Sequence, residues 1–395
     1  MSGRASLIHT LAAVAALTLL TLTHALAGEL NPPGPPGPSM PPLEEIRWFT
    51  EPRTPILELP CVIHEPGSYV VMGNLTGDAA SPGITIEVSD VTIDLNGFTL
   101  TGGPVSKEGI LVPPAGPMLQ GIVIRNGTLR GWGGAGISMW AARGCLVENV
   151  RVEDVWYEGI TAGLHSIVRD CSVRRAPSYG IGVDDGSTVI GCTADGCLTG
   201  ITADSGSTVR DCTVMNSTSS GYSIGGGCTV IGCTARSNTG DGFGLYTDTL
   251  IVDCVATDNG SAVGTARGIS ANPGCVIRAC VASSNEGDGI FVTSRCSVIG
   301  SICDYNRNVA GDAAGIHAPF FATDCHIEDN RVSNNDIGFH IQDVDNLIIA
   351  NRLTGNTASQ SIVAGNAVGP WVDVSGQADI STVTGADHPW ANLEY

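Results

Sequence analysis

Few places on this chain can do chemistry. Asp184, Asp185 and Asp204 form the densest acidic group, and His165 lies just upstream. Two carboxylates held close together push one pKa up, which leaves an acid beside a base. Such a pair suits glycoside hydrolysis. Alternatively, Asp184 and Asp204 could bind a hard cation such as Ca²⁺. A plainer reading competes, because Asp is a common turn residue. Phe291, His317 and His340 form a second group, an aromatic and imidazole strip that could stack sugar rings or bind a ligand. Two His alone are a weak metal signal, and contact with the C-terminal tail is the competing role for this strip. Lysine occurs only at Lys107, so a lysine mechanism has a single residue to use.

These residues are placed by a repeat. A Gly followed by an apolar residue recurs twelve times, from Gly83-Ile84 to Gly338-Phe339, at steps of 20 to 27 residues. A period of that size marks a solenoid. A second motif recurs inside each period, as in Val168-Arg169-Asp170-Cys171, Val189-Ile190-Gly191-Cys192 and Val209-Arg210-Asp211-Cys212. The segments are short, β-branched and bounded by Gly, Asn and Asp, as strands are. No 3.6-residue periodicity runs for a helix length. Side-chain parity breaks between Val230 and Cys233, so two short strands meet there at a bend. The expected fold is all-β: a right-handed parallel β-helix of about 11–12 coils, roughly 21 residues each. Neighbouring coils then lie ~4.8 Å apart, which brings Asp184 and Asp204 onto adjacent rungs.

Five residues after the Cys slot stand Asn238, Asn259, Asn285, Asn306, Asn335 and Asn356. Stacked amides can satisfy turn backbone, so this ladder reads as structural. Cys171, Cys192, Cys212, Cys233, Cys254 and Cys280 fill one inward slot. Cys145, Cys228, Cys275, Cys296 and Cys325 fill another, which Ser166, Ser187, Ser207 and Thr249 share. Slots shared in this way want a small, buried, weakly polar group. Partial disulfides are the alternative, favoured by an oxidising compartment. Trp132, Trp140 and Trp156-Tyr157 offer either an aromatic platform for carbohydrate or core cover.

Val91-Thr92-Ile93-Asp94-Leu95-Asn96-Gly97, with Ile124-Arg125-Asn126-Gly127-Thr128, resembles the opening coils of bacterial secreted right-handed β-helix proteins of pectin-lyase-like fold. Gly287-Asp288-Gly289-Ile290 resembles their later coils. The resemblance covers roughly residues 60–395 and implies the fold; the same fold hosts lyases, hydrolases, epimerases and adhesins. Asp184-Asp185 resembles the acidic pair of polygalacturonase-like hydrolases, but their N-x-D, G-H-G and R-I-K partners have no match here. Arg175-Ala176-Pro177 opens the R-x-P-x-x-R pattern of pectate lyases, and Gly180 stands where its second Arg belongs. Neither catalytic set is complete. The reading that follows is a secreted protein binding extracellular polysaccharide without turnover, with a polysaccharide lyase or glycoside hydrolase as the alternative.

Composition sets the remaining bounds. The 395 residues carry a formal net charge of −20, which excludes nucleic acid as a partner. Residues 1–27 read as a signal peptide, with Arg4, an apolar run over 11–22 and Ala25-Leu26-Ala27 at the cleavage site. The expected setting is therefore extracytoplasmic. No later apolar stretch is long enough for a transmembrane anchor. Residues 28–59 read as a Pro/Gly-rich spacer, 60–82 as an N-terminal cap, 83–363 as the β-helix and 364–395 as a C-terminal cap.

Overall fold

The computed structural model of the protein describes residues 53–78, 80–260 and 266–395. The expected signal peptide, residues 1–27, and residues 28–52 of the expected spacer lie outside the described residues. From Arg53 onward the chain winds as a parallel β-solenoid. Each regular coil gives one strand to a 14-stranded sheet and two to a 28-stranded sheet. Every strand pairs with its counterpart one coil away, as Ile201–Tyr222, Val209–Val230 and Val214–Ala235 do.

The fourteen strands of the smaller sheet count its rungs. Twelve carry the Gly–apolar pair. The other two, Cys61–Ile63 and Ala358–Ile362, extend the ladder at its ends without that pair. The ladder therefore begins inside the segment expected to be a cap. Part of the expected spacer is also strand, since Thr54–Ile56 pairs with Tyr69–Val71. Backbone pairing, which leaves no mark on composition, recruits these residues.

Each regular coil turns three sharp corners, each through a left-handed residue. In one coil these are Gly186, Gly191 and Gly196; in the next, Gly206, Asp211 and Asn216. Gly, Asn and Asp tolerate this backbone best, which explains the punctuation seen in the sequence. Asp and Gly alternate at the middle corner for a steric reason as well. A Cβ added at Gly191 would lie 3.0 Å from Asp170 Oδ1, so each Asp leans over the Gly of the next coil.

The residue after each corner points inward and accepts backbone N–H from the preceding coil. Ser166 Oγ takes Cys145 N–H at 3.1 Å, Ser187 Oγ takes Ser166 N–H at 3.0 Å, and Cys212 Sγ takes Cys192 N–H at 3.4 Å. The asparagines do more. Asn306 Oδ1 accepts from both the backbone N–H and the side-chain amide of Asn285, and Asn306 Nδ2 donates to Ala282 O. Buried polar backbone is thus satisfied rung by rung. All fourteen cysteines are free thiols, and thirteen are buried. Burial pushes up the thiols of Cys145, Cys197, Cys228 and Cys303, Cys197 to about 11, which keeps these four protonated packing groups.

Gly in the anchor pair answers a close approach. A Cβ at Gly221 would meet Gly242 O at 2.6 Å and the Asn238 amide at 2.8 Å. The tail re-enters the repeat it leaves. Asn392–Glu394 pairs with Arg352–Leu353, and Asn392 Oδ1 receives the Asn351 amide at 3.0 Å. Among the described residues no helix is long and apolar enough to cross a membrane.

Candidate functional site

The site is built on the corner that follows the 14-stranded sheet. The residue there stands three positions after the anchor apolar residue and starts a turn of four residues in most coils. Reading along the axis, this slot holds Trp140, Gly163, Asp184, Asp204, Gly225 and Tyr246. Backbone bonds from Gly163 N–H to Met139 O, Asp184 N–H to Ala162 O, Asp204 N–H to Val183 O and Tyr246 N–H to Ile224 O hold the row in register. The row spans roughly 24 Å at ~4.8 Å per rung. Two carboxylates sit at its centre, glycines flank them, and an aromatic closes each end.

The Trp140 indole lies along the outer face of the sheet. A Cβ added at Gly182 would be 3.0 Å from its ring. Trp140, Tyr179, Thr202, Asp204, Ser223 and Tyr246 border an open hollow of about 400 Å³. Tyr246 is 58 % exposed and Trp140 37 %, so both rings present an aromatic face to solvent. Burial, then Asp204 and Asp185, push the Asp184 carboxyl up to about 6. Burial and Asp185 raise Asp204 as well. Among the described residues no Arg, Lys or His pairs with these three carboxylates. No group of three His, Cys, Asp or Glu side chains among the described residues could share a metal ion. Asp184 and Asp204 thus offer a cation two carboxylates at most.

His165 is only loosely associated with this group. Its backbone N–H donates to Asp185 O at 3.0 Å. Its ring instead packs over Gly186 and borders a separate hollow with Asp90, Gln120 and Arg143. Tyr179 and Tyr246 escaped sequence reading, and Trp140 was read with the wrong neighbours. The signal for Trp140 and Tyr246 was present, because each stands three residues after an anchor, as Asp184 and Asp204 do. Trp132 belongs to the core: it is fully buried and its indole N–H donates to Leu100 O at 3.1 Å.

Phe291, His317 and His340 do come together on the outer face of the 14-stranded sheet, on adjacent rungs. Their capacity is largely spent on one another. His317 Nδ1 lies 2.8 Å from Asp288 Oδ2, and its Nε2 lies 3.3 Å from Gln342 Oε1. The rings of His317 and His340 stack at 4.6 Å, and Phe291 meets His317 edge-on at 5.2 Å. The Arg267 guanidinium covers Phe291 at 3.4 Å. Asp288 Oδ1 also accepts Ala314 N–H at 2.8 Å. Burial and the neighbouring His317 lower the His340 pKa. The tail's Trp371 packs on Phe339 at 6.2 Å, so its aromatic contact is with the neighbouring inward residue.

The described geometry agrees with family comparison. The right-handed β-helix region matches residues 61–218, 168–307 and 199–379, which together span most of the chain. The chain belongs to that family, and its solenoid is right-handed. No curated protein matches the sequence. Solved structures with a similar backbone include the A-module of mannuronan C-5 epimerase AlgE6 from Azotobacter vinelandii. It is 14 % identical, with 83 % of this chain and 89 % of that chain covered, at a TM-score of 0.49. The catalytic domain of a GH87 α-1,3-glucanase is 11 % identical, covering 78 % of this chain and 60 % of its own, at 0.41. A tailspike protein of E. coli bacteriophage HK620 is 14 % identical, covering 78 % and 65 %, at 0.47.

Proposed function

We propose that the protein binds a polysaccharide strand lying along the solenoid axis in the trough between Trp140 and Tyr246. The row itself carries this reading: two exposed aromatic faces bracket two carboxylates over a glycine-lined floor. Aromatic faces stack on the apolar faces of sugar rings, and carboxylates accept hydroxyl hydrogen bonds. The unpaired carboxylates and the net charge of −20 favour a neutral glycan over a polyanion. The expected signal peptide fits an extracytoplasmic polymer as ligand. Calorimetry against neutral polysaccharides tests the proposal. Trp140→Ala and Tyr246→Ala should each weaken binding about tenfold, a loss of one stacking contact. Wild-type affinity in both variants would overturn it.

Turnover is the second reading, and the raised Asp184 carboxyl is what favours it. A carboxyl pushed up to about 6, one rung from Asp204, puts a proton donor beside a second carboxylate at one point of a bound strand. A reducing-end or unsaturated-product assay separates the two readings. Activity that disappears in Asp204→Asn would replace pure binding with catalysis.

A further inference from the structure

The turn after the 14-stranded sheet is four residues long in seven successive coils, ending with 293–296; in the next coil, 319–325, it is seven. In a solenoid, insertions within single repeats gather on one face, often the binding face. This insertion carries Phe320 and Phe321, which are 63 % and 71 % exposed. Among the described phenylalanines only these two are exposed. The turn is also held firmly. Phe321 N–H donates to Asp343 Oδ2 at 2.5 Å, Ser294 Oγ donates to Phe321 O, and Ala322 is fully buried beneath them. Phe321 takes a left-handed φ of 71°, a conformation that bulky residues avoid and that these contacts sustain. A loop fixed on both neighbouring coils, with two phenylalanines displayed, is a built surface.

Its position gives it a role. Pro319 stands three residues after Ile316, in the same slot as Trp140, Asp184, Asp204 and Tyr246. Asn272 and Thr293 fill the two rungs between Tyr246 and Pro319. We infer that Phe320 and Phe321 form a distal stacking subsite of the same trough, so that its occupant is a long glycan engaged along the whole row. This rests on the polysaccharide reading above. From Trp140 to Pro319 is eight rungs, roughly 38 Å at ~4.8 Å each, the reach of an extended oligosaccharide of about eight sugars.

The test is a titration of the full chain with length series of cello-, laminari- and manno-oligosaccharides, from three to ten sugars. Wild-type affinity should rise again once the chain exceeds about five sugars. Phe320→Ala with Phe321→Ala should remove that second rise, about tenfold at eight sugars, and leave trimer affinity unchanged. Trp140→Ala should weaken every length. Binding of every length by the double variant as tightly as by the wild type, second rise included, would overturn the distal subsite while leaving the trough intact. No wild-type binding at any length would instead overturn the polysaccharide reading. Gel filtration guards the remaining case: a dimer that dissociates on Phe320→Ser with Phe321→Ser would assign the pair to a second copy of the chain and refute the subsite.

Discussion

Two acidic groups on the outer surface meet opposite fates. Asp184 is half-buried and Asp204 exposed on adjacent rungs, with no cation paired to either among the described residues. Asp288 is enclosed: its carboxylate receives Ala314 N–H and His317 Nδ1, and Arg267 Nε approaches at 3.8 Å. The first group keeps its hydrogen-bonding capacity and raises its pKa. The second spends its capacity on three neighbours and binds rungs together. Charge alone therefore does not mark a binding surface; unspent capacity beside exposed aromatic faces does.

Removing each group should separate the two roles. Asp288→Ala has the largest expected effect, because it strands a buried N–H, an imidazole and a guanidinium at once. It should cost about 3 kcal/mol in a denaturant melt, the range for breaking a buried charged network. A loss under about 0.5 kcal/mol, the surface norm, would merge it with the trough group.

Asp184 should show the opposite sign. Its folded pKa lies above the unfolded value, so the native state holds the proton more tightly. That stability is present at low pH and is lost as pH rises from about 4 through about 6. Allowing for its solvent exposure, the loss is about 1–2 kcal/mol. Melts of Asp184→Asn across that window should lack the decline. An identical slope in the variant would assign the titration elsewhere.

The smallest effect belongs to His340, which burial and His317 keep neutral. Its stack contributes contact area and no ion pair. His340→Phe should shift stability by no more than about 0.5 kcal/mol. A larger loss would mean that the imidazole, and not the ring face, holds the strip.

Much of this was legible beforehand. The inward Cys and Asn slots follow from counting residues within a period, since one slot must serve every coil. The acidic pair was legible for the same reason. The aromatic ends of the trough were passed over because Trp140 and Tyr246 lie among residues of unrelated type, and only their distance from the anchor connects them. Phe320 was hidden by the insertion that displays it, because extra residues break the count.

The sequence by itself determined the period, the corners and the identity of each inward slot. These depend on local backbone preference and on polar groups that every coil must satisfy. The tertiary structure alone decided which outward residues share a surface. It tucked Trp132 into the core and left Trp140 open, turned His165 away from the carboxylates, and drew Asn392 back into a ladder 41 residues upstream. The physical reason is that outward side chains answer to neighbours one coil away, at a separation in sequence that varies with every inserted turn.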